Sequence, residues 1–330
     1  MRVLNLSLDR TFLDKESLAA RRLAALSLAA GEVVVLVPRA GNKVRECLAL
    51  WRRAAALLSK SRYDLITVQD TAYLALLAYL LARRFKIPLE IQVHGFEGNS
   101  FLRRRIARFL LPRADAVRVV SERLKRSIGR DAYVLPIYTQ VETPREVQAK
   151  DHSVFSFLTV GRLVPVKNIG MQIRAFARLV KDSPSARLMI VGDGPLEARL
   201  KSQATSLKLG EQIRFEGRQK NLSHYYEEAD AFLLTSDREG WGVAVTEAAA
   251  FGLPIVMTDV GLAGEFVKDG ENGLVISVGD EEALLSAMRR IAAEPALRAR
   301  LGASALRAFR ALPTSEAQIQ KQVEQWLSLQ

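Results

Sequence analysis

The sequence contains a single cysteine, Cys47, among its 330 residues. One thiol excludes an intrachain disulfide and a zinc site built from several cysteines, so we expect a reducing, cytoplasmic environment. Long apolar runs are also absent, since the longest, Ala72 to Ala82, is too short to span a bilayer and predicts a buried helix instead. The first residues resemble a short strand without a cleavage site, so no signal peptide is expected.

Apolar strand-like runs alternate with helical patterns along both halves of the chain. This alternation is typical of α/β proteins with doubly wound parallel sheets. A hydrophobic content of 49% is enough for two cores of ordinary size. The strands are predicted near residues 3–6, 33–37, 65–68, 89–93, 116–120 and 133–135 in the first half, and near 155–160, 187–191, 213–215, 231–234, 255–257 and 274–276 in the second.

The polar stretch from Thr139 to Ser153 has no strand pattern and predicts a linker between two domains. We therefore expect an N-terminal domain at residues 1–145 and a C-terminal domain at residues 146–314. A last helical pattern, at residues 315–330, follows Pro313.

Two glutamates, Glu239 and Glu247, lie eight positions apart, with Gly240-Trp241-Gly242 and Val243 between them. Two glycines and a tryptophan make a poor first helical turn, so Glu239 is predicted in a loop and Glu247 in the helix that follows. The N-terminus of that helix offers N–H groups that suit a phosphate, while the flanking carboxylates suit hydroxyl groups. A phosphate beside hydroxyl groups indicates a nucleotide sugar as the ligand.

This segment resembles the E-x7-E motif of family 4 of the retaining glycosyltransferases. Residues 155–330 contain three further motifs of that family, and together with the E-x7-E segment they occur in the family's order and spacing. They are the apolar strand ending in Gly161-Arg162 with Lys167-Asn168 after it, the turn Gly192-Asp193-Gly194-Pro195, and Gly261 with Glu265 before Gly270-Glu271-Asn272-Gly273-Leu274.

The resemblance implies an α/β protein of the GT-B fold, in which two Rossmann-like doubly wound domains face each other across a cleft. In that fold the N-terminal domain binds the acceptor and the C-terminal domain binds the nucleotide-sugar donor. The last helix, here residues 315–330, is expected to pack back on the first domain. The active site is expected at the carboxyl ends of both sheets.

The resemblance assigns a role to each charged residue of these motifs. Arg162 and Lys167 match the pair that binds the donor's phosphates, where negative charge grows as the sugar leaves. Glu239 matches the residue that hydrogen-bonds the donor sugar, and Glu247 matches the one that hydrogen-bonds the ribose. The alternative is structural: a surface salt bridge for the two cations, and a helix-capping role for the two carboxylates.

The remaining donor-site residues are expected to act through backbone groups or at the base. The backbone positions near the phosphates and nucleotide are Gly161, Gly192, Gly194, Gly240, Trp241, Gly242 and Val243. A plain strand-to-helix turn would use glycines in the same way. Arg218 falls where related enzymes contact the base.

His94 follows the predicted strand Leu89–Val93, which places it at the carboxyl edge of the first sheet. Related enzymes have a histidine after a comparable strand, near the sugar that is transferred. His94 is therefore a fourth candidate catalytic residue, beside Arg162, Lys167 and Glu239. A lone histidine is otherwise more often structural.

No metal or cofactor is expected. The sequence has no Asp-x-Asp pair to hold a divalent ion with a diphosphate, so a UDP- or GDP-linked donor would be bound by cationic side chains. A nicotinamide dehydrogenase is disfavoured, because no G-x-G-x-x-G follows the first strand.

Two segments of the N-terminal half depart from the family pattern. The loop after the first strand reads Ser7-Leu8-Asp9-Arg10-Thr11-Phe12, where most relatives carry a Gly-Gly pair. Residues 136–141, Pro-Ile-Tyr-Thr-Gln-Val, replace the common Pro-Asn-Gly-Val. Both departures lie on the expected acceptor side.

The positive charge is confined to the first half of the chain. Residues 1–150 carry 27 Lys and Arg against 14 Asp and Glu, whereas residues 151–330 carry 21 against 22. In the densest part, Phe101 to Leu111, apolar residues alternate at helical spacing with Arg103, Arg104, Arg105 and Arg108. This pattern predicts an amphipathic helix on an anionic membrane surface, and the alternative is a solvated helix whose apolar stripe packs on its own domain. Nucleic acid is not an expected partner, because no aromatic stacking platform accompanies the charge.

Three functional classes remain open at this point. The first is a retaining glycosyltransferase that moves a sugar to a glycan or lipid-linked acceptor at the cytoplasmic face of the cell membrane. The second is a protein that binds sugar nucleotides without transferring the sugar, which the missing Gly-Gly pair allows. The third is a sugar-nucleotide epimerase, which needs more acid and base groups than His94, Glu239 and Glu247 offer.

Overall fold

The computed structural model of the chain describes residues 1–38, 43–95, 101–137 and 154–330. Contacts divide the chain into two compact units. Unit 1 comprises Met1–Tyr138 with Pro313–Gln330, and unit 2 comprises Thr139–Leu312. The predicted linker from Thr139 to Ser153, and the predicted boundary between residues 145 and 146, lie outside the described residues.

Strands and helices alternate through both units. The strands are β1 (Arg2–Ser7), β2 (Glu32–Leu36), β3 (Leu65–Gln69), β4 (Leu89–Val93), β5 (Ala116–Val119), β6 (Tyr133–Val134), β7 (Ser156–Val160), β8 (Arg187–Val191), β9 (Ile213–Gly217), β10 (Ala231–Leu234), β11 (Ile255–Thr258) and β12 (Gly273–Ile276). The helices are α1 (Leu18–Ala30), α2 (Lys43–Lys60), α3 (Tyr73–Phe85), α4 (Phe101–Leu110), α5 (Glu122–Ile128), α6 (Ile169–Leu179), α7 (Glu197–Ser206), α8 (Ser223–Glu228), α9 (Val243–Ala250), α10 (Glu281–Ala293), α11 (Pro295–Arg310) and α12 (Ser315–Leu327). Every predicted strand is present, with ends that differ by no more than two residues.

The strands of unit 1 form a parallel sheet in the order β2-β1-β3-β4-β5-β6. Because β1 pairs with both β2 and β3, the chain moves first to one side of β1 and then to the other. Right-handed crossovers then place α1 on one face of the sheet and α2, α3 and α4 on the opposite face. The carboxyl ends of β1 and β3 form the topological switch point of this sheet.

The last helix, α12, packs on unit 1 beside α1. Ile319, Val323 and Trp326 recur at helical spacing and join apolar residues of β1, α1 and β3 in one buried cluster. The Trp326 indole N–H also donates a hydrogen bond to Glu90 Oε1 on β4, at 3.0 Å. The end of the chain therefore completes the core of unit 1.

Unit 2 contains a second parallel sheet, in the order β12-β11-β10-β7-β8-β9. Its core includes Phe157 on β7, Phe176 on α6 and Leu188 on β8, all fully buried. The strand order reverses between β7 and β10, which are neighbours in the sheet but far apart in the chain. Both units therefore have the predicted doubly wound α/β architecture, with a switch point in each sheet.

Among the helices of the described ranges, none is both long and apolar enough to cross a membrane. The predicted buried helix at Ala72–Ala82 corresponds to α3. Its Leu74 and Leu81 are buried, as expected, but Tyr73 and Leu80 are exposed. One side of α3 therefore carries apolar residues that the core of unit 1 does not cover.

Candidate functional site

Two loops at the carboxyl ends of β7 and β10 form the candidate site of unit 2. Residues 161–168 follow β7, and residues 235–242 follow β10. Since β7 and β10 are adjacent parallel strands at the switch point of the sheet, their following loops meet at one edge. Gly161, Lys167 and Ser236 line a small pocket at this edge.

An ion pair between Lys167 and Glu239 connects the two loops. The Lys167 ammonium contacts Glu239 Oε1, and the Ser236 hydroxyl donates to the same oxygen at 2.7 Å. The two charged side chains are only 24% and 13% exposed, so water screens their charges incompletely. The site therefore holds a partly buried ammonium and carboxylate side by side.

Hydrogen bonds to the backbone hold these loops in one arrangement. The Thr235 hydroxyl donates to the carbonyl oxygen of Lys167 at 3.1 Å, and accepts from Gln172 Nε2 at 2.9 Å. Asn168, in the left-handed region at φ 48°, donates from Nδ2 to Asp237 Oδ1 at 3.2 Å. Because polar groups of both loops are satisfied by each other, the charged side chains are positioned before any ligand arrives.

The N-terminus of α9 lies directly after Glu239. Gly242 is the N-cap residue, at φ 100°, and has no side chain to cap the helix. The first N–H groups of α9, on Val243 and Ala244, therefore remain available to an anion, and the helix dipole favours negative charge there. Trp241 is 5% exposed, so its ring belongs to the core.

Glu247 lies in the second turn of α9 and is held by a residue from another helix. The hydroxyl of Tyr226, on α8, donates to Glu247 Oε2 at 2.6 Å. Burial raises the pKa of the Glu247 carboxyl, and the hydrogen bond from Tyr226 partly opposes that rise. Tyr226 therefore fixes the orientation of the carboxylate, and helix capping, the structural alternative, does not account for a carboxylate this far inside α9.

The turn Gly192-Asp193-Gly194 packs against the loop after β7, which gives its glycines a structural reason. A Cβ atom on Gly192, at φ 139°, would lie 1.9 Å from the carbonyl oxygen of Gly161. A Cβ atom on Gly194 would lie 2.5 Å from the carbonyl oxygen of Leu163. These two glycines thus let the turn support the loop that carries Arg162 and Lys167.

Arg162 and Arg218 are exposed, and neither forms an ion pair with a residue of the described ranges. Arg162 directly follows Gly161, which lines the same small pocket as Lys167. Arg218 follows β9, which is separated from β7 by β8. Arg162 therefore lies in the same loop as Lys167, whereas Arg218 follows a strand two positions away in the sheet.

His94 lies at the carboxyl edge of the unit 1 sheet, directly after β4. Its Nδ1 atom is 2.9 Å from Gln69 Nε2, and Gln69 Oε1 accepts from the Ser7 hydroxyl at 3.3 Å. Because Gln69 Nε2 can only donate, this assignment makes His94 Nδ1 the acceptor and puts its proton on Nε2. That Nε2 atom is buried and has no partner among the described residues.

Burial, with a smaller contribution from the nearby cations Arg118 and Arg22, lowers the pKa of His94 to about 3. The imidazole is therefore neutral at physiological pH. Together with the tautomer, this makes His94 a neutral N–H donor at the carboxyl edge of β4 and excludes a role as a fixed positive charge.

The loop after β1, which lacks the Gly-Gly pair, folds as a short 3₁₀ turn. Asp9 caps this turn, because its Oδ1 accepts from the N–H of Thr11 at 2.9 Å and from its hydroxyl at 2.7 Å. The N–H of Asp9 donates to the Ser7 hydroxyl at 3.0 Å. The loop is therefore tied through Ser7 to the same hydrogen-bonded chain as His94.

We expect the low pKa of His94 to make the fold sensitive to acid. Between about pH 6.5 and pH 3 the unfolded chain binds a proton at this position that the folded chain does not, so stability falls as the pH falls through this window. Because of this one proton, the free energy of unfolding should fall by about 2 kcal/mol between pH 7 and pH 5. Urea unfolding at several pH values should show a shallower pH dependence for His94→Gln than for the wild type.

His224→Gln provides the matched control, since His224 is an exposed histidine on α8. This variant should keep the pH dependence of the wild type. An unchanged slope in His94→Gln would show that His94 is not held neutral by burial.

Several residues of the site are not among those predicted from the sequence. Thr235 and Ser236 had a detectable signal, because they are polar residues directly after an apolar strand at the ligand-binding edge. Tyr226 and Gln69 had none, because their roles arise from hydrogen bonds to Glu247 and His94 that only the fold creates.

Arg103, Arg104, Arg105 and Arg108 lie on α4, on the face of the unit 1 sheet opposite α1. The inner side of α4 packs on its own unit through Ala107 and Leu110, both buried. The alternative predicted from the sequence, a helix whose apolar stripe packs on its own domain, is therefore partly correct. The outer side of α4 carries the arginines and further apolar residues.

Comparisons with known proteins place these features in a family. Residues 140–307 match the model of the glycosyl transferases group 1, and residues 13–136 match that of a glycosyl transferase 4-like domain. The chain is 35% identical over 144 residues to the lipopolysaccharide core biosynthesis glycosyltransferase LpsE of Rhizobium meliloti, covering 44% of this chain and 41% of that protein. It is 34% identical over 154 residues to the alpha-monoglucosyldiacylglycerol synthase of Acholeplasma laidlawii, covering 44% and 39%. The aligned part thus spans less than half the length of either relative.

The crystal structure of HepE from Anabaena in complex with UDP and glucose is similar in fold, with a TM-score of 0.79 over 99% of both chains. Its sequence is 19% identical to this chain, so the similarity concerns the fold alone. The group 1 model matches just over half of the chain, including every motif around Lys167, Glu239 and Glu247. The chain therefore belongs to the family of glycosyl transferases group 1 and has the GT-B fold.

Proposed function

We propose that this protein is a retaining, metal-independent glycosyltransferase that moves a sugar from a nucleotide-sugar donor to a glycan or lipid-linked acceptor. Unit 2 binds the donor and unit 1 binds the acceptor, in the cytoplasm at the inner face of the cell membrane. The observation that carries the proposal is the Lys167–Glu239 ion pair beside the uncapped N-terminus of α9.

The charges of the site fit a nucleotide diphosphate sugar. The Lys167 ammonium, the Arg162 guanidinium and the N–H groups at the start of α9 are three independent sources of positive charge for a diphosphate. The Glu239 carboxylate accepts hydrogen bonds from sugar hydroxyls next to Lys167. Glu247, held by Tyr226, accepts from the ribose hydroxyls.

In the proposed reaction the bond between the sugar C1 and the donor phosphate oxygen breaks, and a bond from C1 to the acceptor oxygen forms on the same face of the ring. The acceptor's proton passes to the departing phosphate oxygen. Lys167 and Arg162 stabilise the charge that develops on the diphosphate, so no metal ion is required for this step. The neutral His94, at the carboxyl edge of unit 1, supplies an N–H donor that suits an oxygen of the acceptor.

The comparison with HepE supports a UDP-linked donor, and a GDP-linked donor is the second candidate. The structure of similar fold contains UDP and glucose, and the names of two relatives refer to a lipopolysaccharide core and a glucosyldiacylglycerol. An envelope glycan or a glycolipid is therefore the class of acceptor with which we would begin.

A panel of UDP, GDP, ADP, TDP and CMP with their common sugars, each with and without EDTA, tests the donor site. A nucleotide at 100 times its Kd stabilises the fold by about 2.7 kcal/mol, so we expect the unfolding midpoint to rise by about 5 °C or more. One nucleotide family should stand out, EDTA should not reduce the shift, and Glu247→Gln should diminish it. No shift with any nucleotide would contradict the donor site.

Transfer itself is tested by analysing the products with the nucleotide sugar selected in this way. Binding without transfer or hydrolysis would instead favour a protein that only binds sugar nucleotides, which the Asp9-capped turn in place of the Gly-Gly loop supports. Conversion of the donor to another sugar nucleotide without any acceptor would identify an epimerase.

A further inference from the structure

Helix α4 has apolar side chains on two sides. The inner side, with Ala107 and Leu110, packs on unit 1. The outer side exposes Phe101, Leu102 and Phe109, whose exposed fractions are 74%, 54% and 45%. A helix that only packs on its own domain needs apolar residues on its inner side alone. The core of unit 1 therefore does not explain the apolar residues on the outer side of α4.

The exposed apolar residues continue from α4 onto α3. The Tyr79 ring of α3 meets the Phe109 ring of α4 edge to face, with centroids 6.0 Å apart. The Arg103 guanidinium of α4 lies 5.5 Å from the centre of the Tyr73 ring of α3. The two helices therefore present one surface, here named the α3–α4 surface, whose exposed apolar residues are Tyr73, Leu80, Phe101, Leu102 and Phe109.

Positive charge surrounds the α3–α4 surface. Residues 71–113 contain eight Lys and Arg but only two acidic residues, Glu90 and Glu97. Glu90 is fully buried under α12, and Glu97 lies outside the described residues. The exposed cations of α3, α4 and the residues that follow them are Arg83, Arg84, Lys86, Arg104, Arg105, Arg108 and Arg113.

We propose that the α3–α4 surface docks on an anionic lipid bilayer. The arginines contact lipid phosphates, while the exposed phenylalanine and leucine side chains enter the boundary between headgroups and acyl chains. A cluster of large apolar side chains rimmed by cations matches both the acyl chains and the phosphates of such a bilayer. Single exposed apolar residues scattered over a surface would need no such explanation. This inference rests on the membrane location in the proposed function and names the surface responsible for it, but its test does not depend on sugar transfer.

Flotation with vesicles tests the charged part of this surface. The full-length protein should float with phosphatidylcholine vesicles that contain 30% phosphatidylglycerol, bind pure phosphatidylcholine weakly, and dissociate at high salt. The triple variant Arg104→Glu, Arg105→Glu, Arg108→Glu should bind about 100-fold more weakly, since each cation near an anionic surface contributes about fivefold.

The matched control changes the same number of charges elsewhere. Arg21, Lys181 and Arg307 are exposed on or next to α1, α6 and α11, so replacing all three with Glu alters the net charge equally. This control should bind vesicles at least ten times more tightly than the α4 variant. Equal binding of the two variants would show that net charge, and not the α3–α4 surface, determines adsorption, and would overturn the proposal.

A second set of variants tests the apolar part. Phe101→Ser with Phe109→Ser should weaken binding about tenfold, while Leu28→Ser with Leu207→Ser, which removes exposed leucines from other surfaces, should not. The emission of a tryptophan introduced by Phe101→Trp should shift to shorter wavelength on vesicle binding. An unshifted emission in the bound protein would contradict insertion.

Binding experiments can also show that the α3–α4 surface has a different partner, either a nucleic acid or an acidic protein. Tight binding of an unstructured RNA, lost in the triple α4 variant and unaccompanied by vesicle binding, would assign the surface to nucleic acid. Binding of polyglutamate in place of vesicles would assign it to an acidic protein. Each result overturns the membrane proposal. All variants should keep the thermal shift with nucleotide seen in the wild type, so a failure of docking remains distinct from a failure of the donor site.

Discussion

Replacing Lys167 with alanine is expected to lower the rate of sugar transfer by a factor of about 10²–10³, as for other single donors that stabilise developing charge. The ammonium is partly buried at the switch point and held by Glu239, so it acts in a site from which much of the water is excluded. Its loss removes positive charge from the place where the diphosphate becomes more negative. The turnover rate at saturating donor and acceptor is the quantity to measure.

Lys201→Ala is the matched control for this substitution. Lys201 forms an exposed ion pair with Glu197 on α7, in the same unit, and such pairs contribute little. Both variants should unfold within a few degrees of the wild type, but only Lys167→Ala should lose activity. Near wild-type turnover in Lys167→Ala would remove the central residue from the proposed mechanism.

The direct contact between Lys167 and Glu239 raises the question of whether the lysine only positions the glutamate. Glu239→Ala should also reduce transfer by orders of magnitude, because it removes the acceptor for the sugar hydroxyls. If Lys167 acts on the phosphate and Glu239 on the sugar, the double variant should be slower than either single variant. If the lysine merely orients the glutamate, the double variant should be as slow as Glu239→Ala alone.

The local structure around the two glutamates could be predicted from composition. Two glycines and a tryptophan prevented Glu239 from joining a helix, and α9 does begin at Val243 after the glycine cap. The contact of Glu239 with Lys167 could not be predicted in this way. It exists because β10 lies beside β7, and a strand order that skips two intervening strands leaves no trace in the local pattern.

The glycines of the turn Gly192-Asp193-Gly194 show a second limit of prediction from the sequence. Their presence predicted a tight turn, but two explanations fitted equally: approach of a ligand or approach of another part of the chain. The structure supplies a definite partner, because the carbonyl oxygens of Gly161 and Leu163 occupy the space that a Cβ atom would take on Gly192 or Gly194. Such a contact between two loops depends on the register of β7 with β8, which sequence reasoning does not reach.

The amphipathic pattern of α4 predicted only part of its arrangement. Arginines at helical spacing among apolar residues predicted one polar and one apolar side. The structure instead divides the apolar residues between an inner side, which unit 1 needs, and an outer side, which it leaves exposed. Only the packing of α4 against its neighbours could assign Phe101 and Phe109 to the outer side.

The polar layer beneath α12 is the least predictable part of unit 1. Glu90, fully buried on β4, accepts hydrogen bonds from Gln92 Nε2 at 2.8 Å and from the Trp326 indole at 3.0 Å, and also from Thr67 and Tyr133. A carboxylate buried to this extent is tolerated only when donors surround it. One of those donors comes from the last turn of the chain, so α12 contributes both apolar contacts and a necessary hydrogen bond.

We therefore expect Trp326→Ala to destabilise unit 1 by about 3–5 kcal/mol, because it leaves a large cavity and removes a donor from a buried carboxylate. Trp326→Phe keeps most of the volume and should cost about 1–3 kcal/mol for the lost hydrogen bond. Trp51→Ala, at a partly exposed position on α2, serves as the control and should change stability much less. Urea unfolding measures all three. Since unit 2 contains the donor site, nucleotide should still stabilise it in Trp326→Ala, and equal stability of Trp326→Ala and Trp51→Ala would show that α12 is not part of the core that unit 1 needs to fold.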